Sequence, residues 1–189
     1  MTKDSVRETT ARSRQARSFE ELTALEQALA THEWSALVPG DRATCYVSMA
    51  NEPGTQATIA ALQRAGISVA VPIMQPGRTL AWGWHTDDMP TNNFGVREPD
   101  IDNSIDVSHF AAMLIPAQRA GLDGSRLGRG AGYYDRALES VPRHSAGGPL
   151  RITIVFDDEV DDSVPHDPHD QQVDVIVTPT RVIRLTKDQ

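Results

Sequence analysis

Apolar positions along the chain switch between two spacings, and the switches mark out the elements. Over residues 19–31, Leu22, Leu25 and Leu29 return every three or four positions on one helical face, while residues 3–17 hold good helix formers and few breakers. Pro39-Gly40 punctuates the chain after them. Residues 43–49 read as a buried strand, closed by Glu52-Pro53-Gly54. In the next stretch, TQATIAALQRAG, Thr55 stands where a helix cap belongs and Gly66 where the helix should stop. Residues 67–73 follow as a second strand, with Ile67, Val69 and Val71 on one side. Strand, helix and strand within about thirty residues make a βαβ unit, which predicts two parallel strands.

The rest of the chain repeats this logic. Leu80, Trp82 and Trp84 alternate with other residues as in a half-buried strand, and 110–116 is an apolar run of central-strand length. Residues 133–141 read as a helix, and 151–156, 173–177 and 181–185 as further strands. The pattern predicts an α/β fold, a three-layer α/β/α arrangement with a mainly parallel sheet, in a single domain over residues 1–189. An apolar fraction of 39% in 189 residues is enough for its core.

Charge narrows the partners. Eighteen Lys and Arg against 26 Asp and Glu leave a net charge of -8, which argues against nucleic acid or an anionic membrane and favours a small-molecule partner. The charge is unevenly spread: residues 1–19 carry five basic and two acidic side chains, whereas 157–174 carry eight acids and no Lys or Arg. Such a run is commonly a solvated loop, and it can also lend a carboxylate or two to a divalent cation. A single cysteine, Cys45, excludes an intramolecular disulfide, and the six histidines form no metal pattern with it. No window approaches the roughly 18 apolar residues of a spanning helix. The expectation is a cytoplasmic monomer.

The most informative segment is GSRLGRGAGYYDRAL, residues 124–138, which follows an expected central strand and runs into a helix. Glycines at 124, 128, 130 and 132 allow close backbone approach, a helix start offers free N–H groups, and Arg126 and Arg129 add positive charge. This reads as a phosphate cradle. It is neither a Walker A loop nor a dinucleotide fingerprint, because it lacks Gly-Lys-Ser/Thr and its glycine spacing is GxGxG.

RLGRGAGYYDR resembles the RLGxGxGYYDR signature of the 5-formyltetrahydrofolate cyclo-ligase family. Further segments agree in order: Lys3 and Arg7, Asn51-Glu52-Pro53-Gly54-Thr55, Val71-Pro72, Phe94-Gly95-Val96-Arg97-Glu98-Pro99, Leu114-Ile115-Pro116, Pro165 to Asp170, and Val173 to Pro179. The resemblance spans nearly the whole chain. It implies the architecture of sugar isomerases and CoA transferases, and ATP-dependent closure of 5-formyltetrahydrofolate to 5,10-methenyltetrahydrofolate through a phosphorylated formyl group. By matching motif positions, Lys3, Arg7 and Arg126 would be the catalytic cations. ATP would be held by Lys3, Arg7 and the loop Arg126, Leu127, Gly128, Arg129, Gly130, Ala131, Gly132, Tyr133 and Tyr134. Val47, Glu52, Tyr133 and Tyr134 would contact the folate, and Asp135 and Asp170 would ligate Mg2+. Arg129 and Ala131 depart from residues common in the family, and Phe94 is at best a partial match for its pterin-stacking aromatic. Two rivals fit parts of the pattern: a phosphosugar isomerase, which leaves Lys3 and Arg7 without a task, and a non-enzymatic binding module.

Overall fold

The structure, a computed structural model, describes residues 2–92, Gly95 and residues 97–185. In chain order the elements are α1 (Lys3–Gln15), α2 (Phe19–Ala30), α3 (Trp34–Leu37), β1 (Arg42–Thr44), α4 (Gln56–Arg64), β2 (Ser68–Gln75), β3 (Thr79–Trp84) and β4 (Ala112–Pro116). They continue as β5 (Arg119–Gly121), β6 (Arg126–Leu127), α5 (Tyr133–Glu139), β7 (Leu150–Ile154), β8 (Val160–Asp161), β9 (Val175–Val177) and β10 (Val182–Arg184). Seven strands form the main sheet in the order β10-β9-β7-β4-β1-β2-β3. The five inner strands pair in parallel, and the two edges, β10 and β3, pair antiparallel. The expected βαβ unit is β1-α4-β2, with Ala43 opposite Val69.

Alternation along the strands divides the core into two faces. Cys45, Val69, Val71, Leu114, Ile152 and Ile154 point toward Leu29, Trp34, Leu37, Ile59 and Leu62 of α2, α3 and α4. Met113, Ile115 and Ile176 point the other way, toward Leu138 and Val141 around α5 and toward Val107 and Phe110 of the preceding coil. The second helical layer is therefore thin, a single helix of 7 residues with coil beside it. α1 packs on neither face. Its Val6 meets Leu127 and Val164, next to a small second sheet of order β6-β5-β8.

Local chemistry explains where the structure departs from the sequence expectation. The strand expected over 43–49 stops at Thr44, because the chain then turns to bond Thr55: Thr55 Oγ1 donates to Tyr46 O (2.8 Å) and accepts from Ser48 N–H (3.0 Å). That commitment leaves Thr55 at the cap position of α4 without a capping bond, and Glu26 from α2 takes over by accepting from Ala57 N–H (2.9 Å). Gly66 ends α4 as expected, with φ +81 and paired bonds from Gly66 N to Gln63 O and from Ile67 N to Leu62 O. α3 and the short strands of the second sheet, two or three residues each, carry no readable period.

Candidate active site

Two cavities meet at the glycine-rich loop. The first, about 330 Å³, is walled by Val47, Met49, Glu52, Met74, Leu80, Glu98 and the loop through Tyr133 and Tyr134. The second, about 680 Å³, is walled by Lys3, Arg7, Asp167, His169, Asp170, Gln171 and the other side of the same loop. Arg126, Gly128, Gly130, Gly132 and Asp135 line both.

The loop's shape follows from its glycines and its neighbours. Gly130 has φ +96, and a Cβ there would lie 3.2 Å from the Arg7 guanidinium carbon; Gly132 has φ +74 and opens α5. Ala131 between them keeps a negative φ, so its methyl causes no strain. Two expectations are corrected here. Gly124 belongs to the turn between β5 and β6, away from the cradle, and Gly128 takes no positive φ. Leu127 contributes a core side chain, and its carbonyl accepts from Gln118 N–H (2.8 Å) within the second sheet.

α1 delivers Lys3 and Arg7 one turn apart to the second cavity. Arg7 Nε donates to Gly128 O (3.0 Å) and Nη1 to Asp4 (2.8 Å). Lys3 Nζ donates to Asp167 (2.7 Å) and to Asp170. Burial pulls the Lys3 pKa down, but the bonds to Asp167 and Asp170 outweigh it and leave the ammonium above its ordinary range. Burial likewise works to raise the Asp170 pKa, and the Lys3 bond with the Asp167 N–H carries it below the ordinary carboxylate value. Donor atoms of Asp167, His169 and Asp170 lie within 4.8 Å of one another. Asp135, across the cavity on α5, accepts from Arg126 Nη2 and from Gln171 N–H (3.3 Å). The close carboxylates of Asp167 and Asp170 suit a hard divalent cation that keeps several waters, and Asp135 lines the same cavity. Arg126 is 4% exposed, and its Nε has no hydrogen-bond partner among the described residues. An unpaired buried guanidinium N–H beside two cavities is a ready donor for an anion.

In the first cavity Glu52 is nearly buried, accepting from Met49 N–H (2.8 Å), with Arg129 Nε 3.4 Å away. Arg129 also reaches Met49 Sδ (3.0 Å), so it sits on this side and not among the residues of the second cavity. Tyr134 packs edge-on against Trp82, centroids 6.1 Å apart, and its buried hydroxyl has no partner among the described residues. Burial first, then electrostatic coupling to Cys45 and to the Glu52 carboxylate, pushes its pKa well above the ordinary phenol value. Trp82 is a core residue, and Phe94 lies outside the described residues. Sequence reasoning missed Glu98, whose carboxylate accepts from Met74 N–H (3.1 Å) on the opposite wall, and also Asp167, His169 and Gln171. Glu98-Pro99 inside a matching motif was the available signal for the first; the others were hidden among the eight acids and their neighbours.

A mainly parallel α/β sheet thus carries an apolar pocket and a second pocket lined by both cations and carboxylates, joined by one glycine-rich loop, the layout of an enzyme with two adjoining small-molecule subsites. Comparison with known proteins narrows this class. The profile of the 5-formyltetrahydrofolate cyclo-ligase family matches residues 2–179. A 5-formyltetrahydrofolate cyclo-ligase of Mycolicibacterium smegmatis is 33% identical over 177 residues, covering 88% of this chain and 89% of its own. One from Escherichia coli K12 is 28% identical over 143 residues, 72% and 77% of the two chains. Among solved structures, the 5,10-methenyltetrahydrofolate synthetase of Aquifex aeolicus superposes with TM-score 0.83 at 23% identity, over 100% of this chain and 95% of its own. That of Mycoplasma pneumoniae gives TM-score 0.73 at 23% identity, over 95% and 99%. The chain belongs to the 5-formyltetrahydrofolate cyclo-ligase family, ligases of folate one-carbon metabolism.

Proposed function

We propose that the protein, acting as one cytoplasmic domain, uses magnesium and ATP to convert 5-formyltetrahydrofolate to 5,10-methenyltetrahydrofolate, ADP and phosphate. The observation that carries this reading is the shared wall: a phosphoryl group held in the second cavity and a formyl group held in the first would meet across Gly128 to Gly132. Phosphoryl transfer demands mainly positioning and neutralisation of charge. Lys3, Arg7 and the loop N–H groups supply these on the polyphosphate side, and Arg126, which lines both cavities, adds its charge between them. Asp135 and Asp170 would hold magnesium, with Asp167 beside them; when bound, the ion supplies charge neutralisation on the phosphates. The γ-phosphoryl group moves to the formyl oxygen, turning a poor leaving group into a good one. N10 then attacks the formyl carbon, the N10 proton is lost, and phosphate departs as the ring closes. On the folate side Glu52 accepts from pterin N–H donors, with Val47 and the two tyrosines as walls.

Absorbance of methenyltetrahydrofolate formed with and without magnesium-ATP tests the reaction. Asp135→Asn is expected to lower ATP-dependent turnover by about a hundredfold, the scale of removing one charge-stabilising group. Tight folate binding with no product in the wild type would overturn the ligase reading.

A further inference from the structure

Arg151 is a charged side chain in the middle of an apolar sheet. It lies on β7, is 2% exposed, and is among the largest fully buried side chains of the described residues. Its guanidinium donates Nη1 to Gln171 Oε1 (2.9 Å) and Nη2 to Val141 O (2.8 Å) and Leu138 O (3.4 Å), at the end of α5. Gln171 donates its own backbone N–H to Asp135 Oδ1 (3.3 Å), and it directly follows Asp170 in the chain. The contacts close a circuit from β7 to the 167–171 segment, from there to Asp135, and along α5 back to the carbonyls under the guanidinium. A second hold lies just beyond: Arg151 N–H donates to Asp174 Oδ2 (2.9 Å), and Asp174 N–H to Arg151 O (2.8 Å).

Stability alone does not account for an arginine here. Burial pushes its pKa below the ordinary value, against the pull of Asp174, and a well-packed apolar side chain would avoid that desolvation cost. The planar fork does what neither an apolar residue nor a lysine can, bonding the loop and the helix end at fixed angles to each other. Asp135 and Asp170 come to the second cavity from those two elements.

We propose that Arg151 is a positioning residue of the polyphosphate cavity, which sets the spacing of Asp135 and Asp170 through Gln171 and the end of α5 and thereby sets affinity for magnesium-bearing nucleotide. It touches no ligand itself. The inference rests on the functional reading above. Titration calorimetry of magnesium-ADP and, separately, of 5-formyltetrahydrofolate tests it on the wild type, Arg151→Met, Arg151→Lys and Gln171→Ala, with thermal melts alongside. Magnesium-ADP affinity is expected to fall by about tenfold or more in all three variants, as for lost support of a metal ligand. Folate affinity should stay within about twofold, because Asp170 and Gln171 lie outside the first cavity and Asp135 is only one residue of its wall. Gln171→Ala removes one arm without opening the core, so it reports even where a β7 variant folds poorly. Where the wild type binds magnesium-ADP, unchanged affinity in the three variants, or parallel loss of both ligands, overturns the inference alone. A wild type that binds no magnesium-ADP overturns the functional reading, and the inference with it.

Discussion

Three buried groups set how single residues respond to alkali. Burial alone pushes the Cys45 thiol up; burial and then the Glu52 charge push up Tyr46, and burial, Cys45 and Glu52 push up Tyr134. A group whose pKa is raised by folding contributes its full stability below its unfolded pKa and loses it as pH climbs. The unfolding free energy from urea curves should therefore begin to fall above pH ~8.5 as unfolded Cys45 ionises, and more steeply above ~10 as the tyrosines join, each group removing about 1.4 kcal/mol per pH unit. Denaturation curves of the wild type and Cys45→Ala between pH 7 and 11 check this; a first decline that survives the substitution would assign it elsewhere. Cys45, 0% exposed, should also resist thiol reagents until the chain unfolds. At this scale the sequence was legible where contiguous residues build the feature, as in the loop from Arg126 to Asp135. Glu98, Gln171 and Arg151 act through partners brought from distant parts of the chain, and no local spacing announces them.

Helix α1 illustrates how an element is held and what it holds. Its far end is anchored by a buried fork: Arg14 donates to both oxygens of Glu159 (2.7 and 2.8 Å) and to Ala117 O (2.9 Å), while Arg17 lies over the Phe156 ring at 4.3 Å. Arg14→Met alone strands a buried carboxylate and should cost about 3–5 kcal/mol, whereas Arg14→Met with Glu159→Leu should recover most of that loss. A double-mutant cycle by urea melts measures the difference, and additive losses would show that the two groups act separately. In the loop, Gly130→Ala should cost about 1–2 kcal/mol from its positive φ, and by displacing Arg7 it should raise KM for ATP more than KM for folate. Equal rises in both would remove Arg7 from the nucleotide side. Helix α2 was readable from its period, α4 from period and end signals, and α1 from its helix formers. Thr55 shows the limit: it stands at the cap position as expected, but its hydroxyl takes whichever partner the tertiary structure offers, and here Tyr46 O wins over the helix N–H groups.

For the whole molecule, the mainly parallel α/β arrangement was legible because buried strands and amphipathic helices alternate in order. The second sheet was not, being built from strands too short to show a period. Its job is to seat α1 against β6 and thus against the loop. Ligand binding should therefore stabilise the fold as a unit: magnesium-ATP at about a hundredfold excess over Kd adds roughly 2.7 kcal/mol. Hydrogen exchange in residues 3–15 should slow in the same experiment, and equal protection with and without nucleotide would separate α1 from binding.

Lys3 finds its partner Asp170 across 167 residues of chain. During synthesis, that pair cannot close before the 167–171 segment has been made. Lys3 must wait in water until all but the last two strands have emerged, and the β1-α4-β2 unit can form well before that. A chain cut short before the acidic segment would own much of a sheet but lack Asp167 and Asp170, and so would grip magnesium-nucleotide poorly. Fragments of this protein should therefore be silent bystanders, unable to sequester ATP from the finished enzyme.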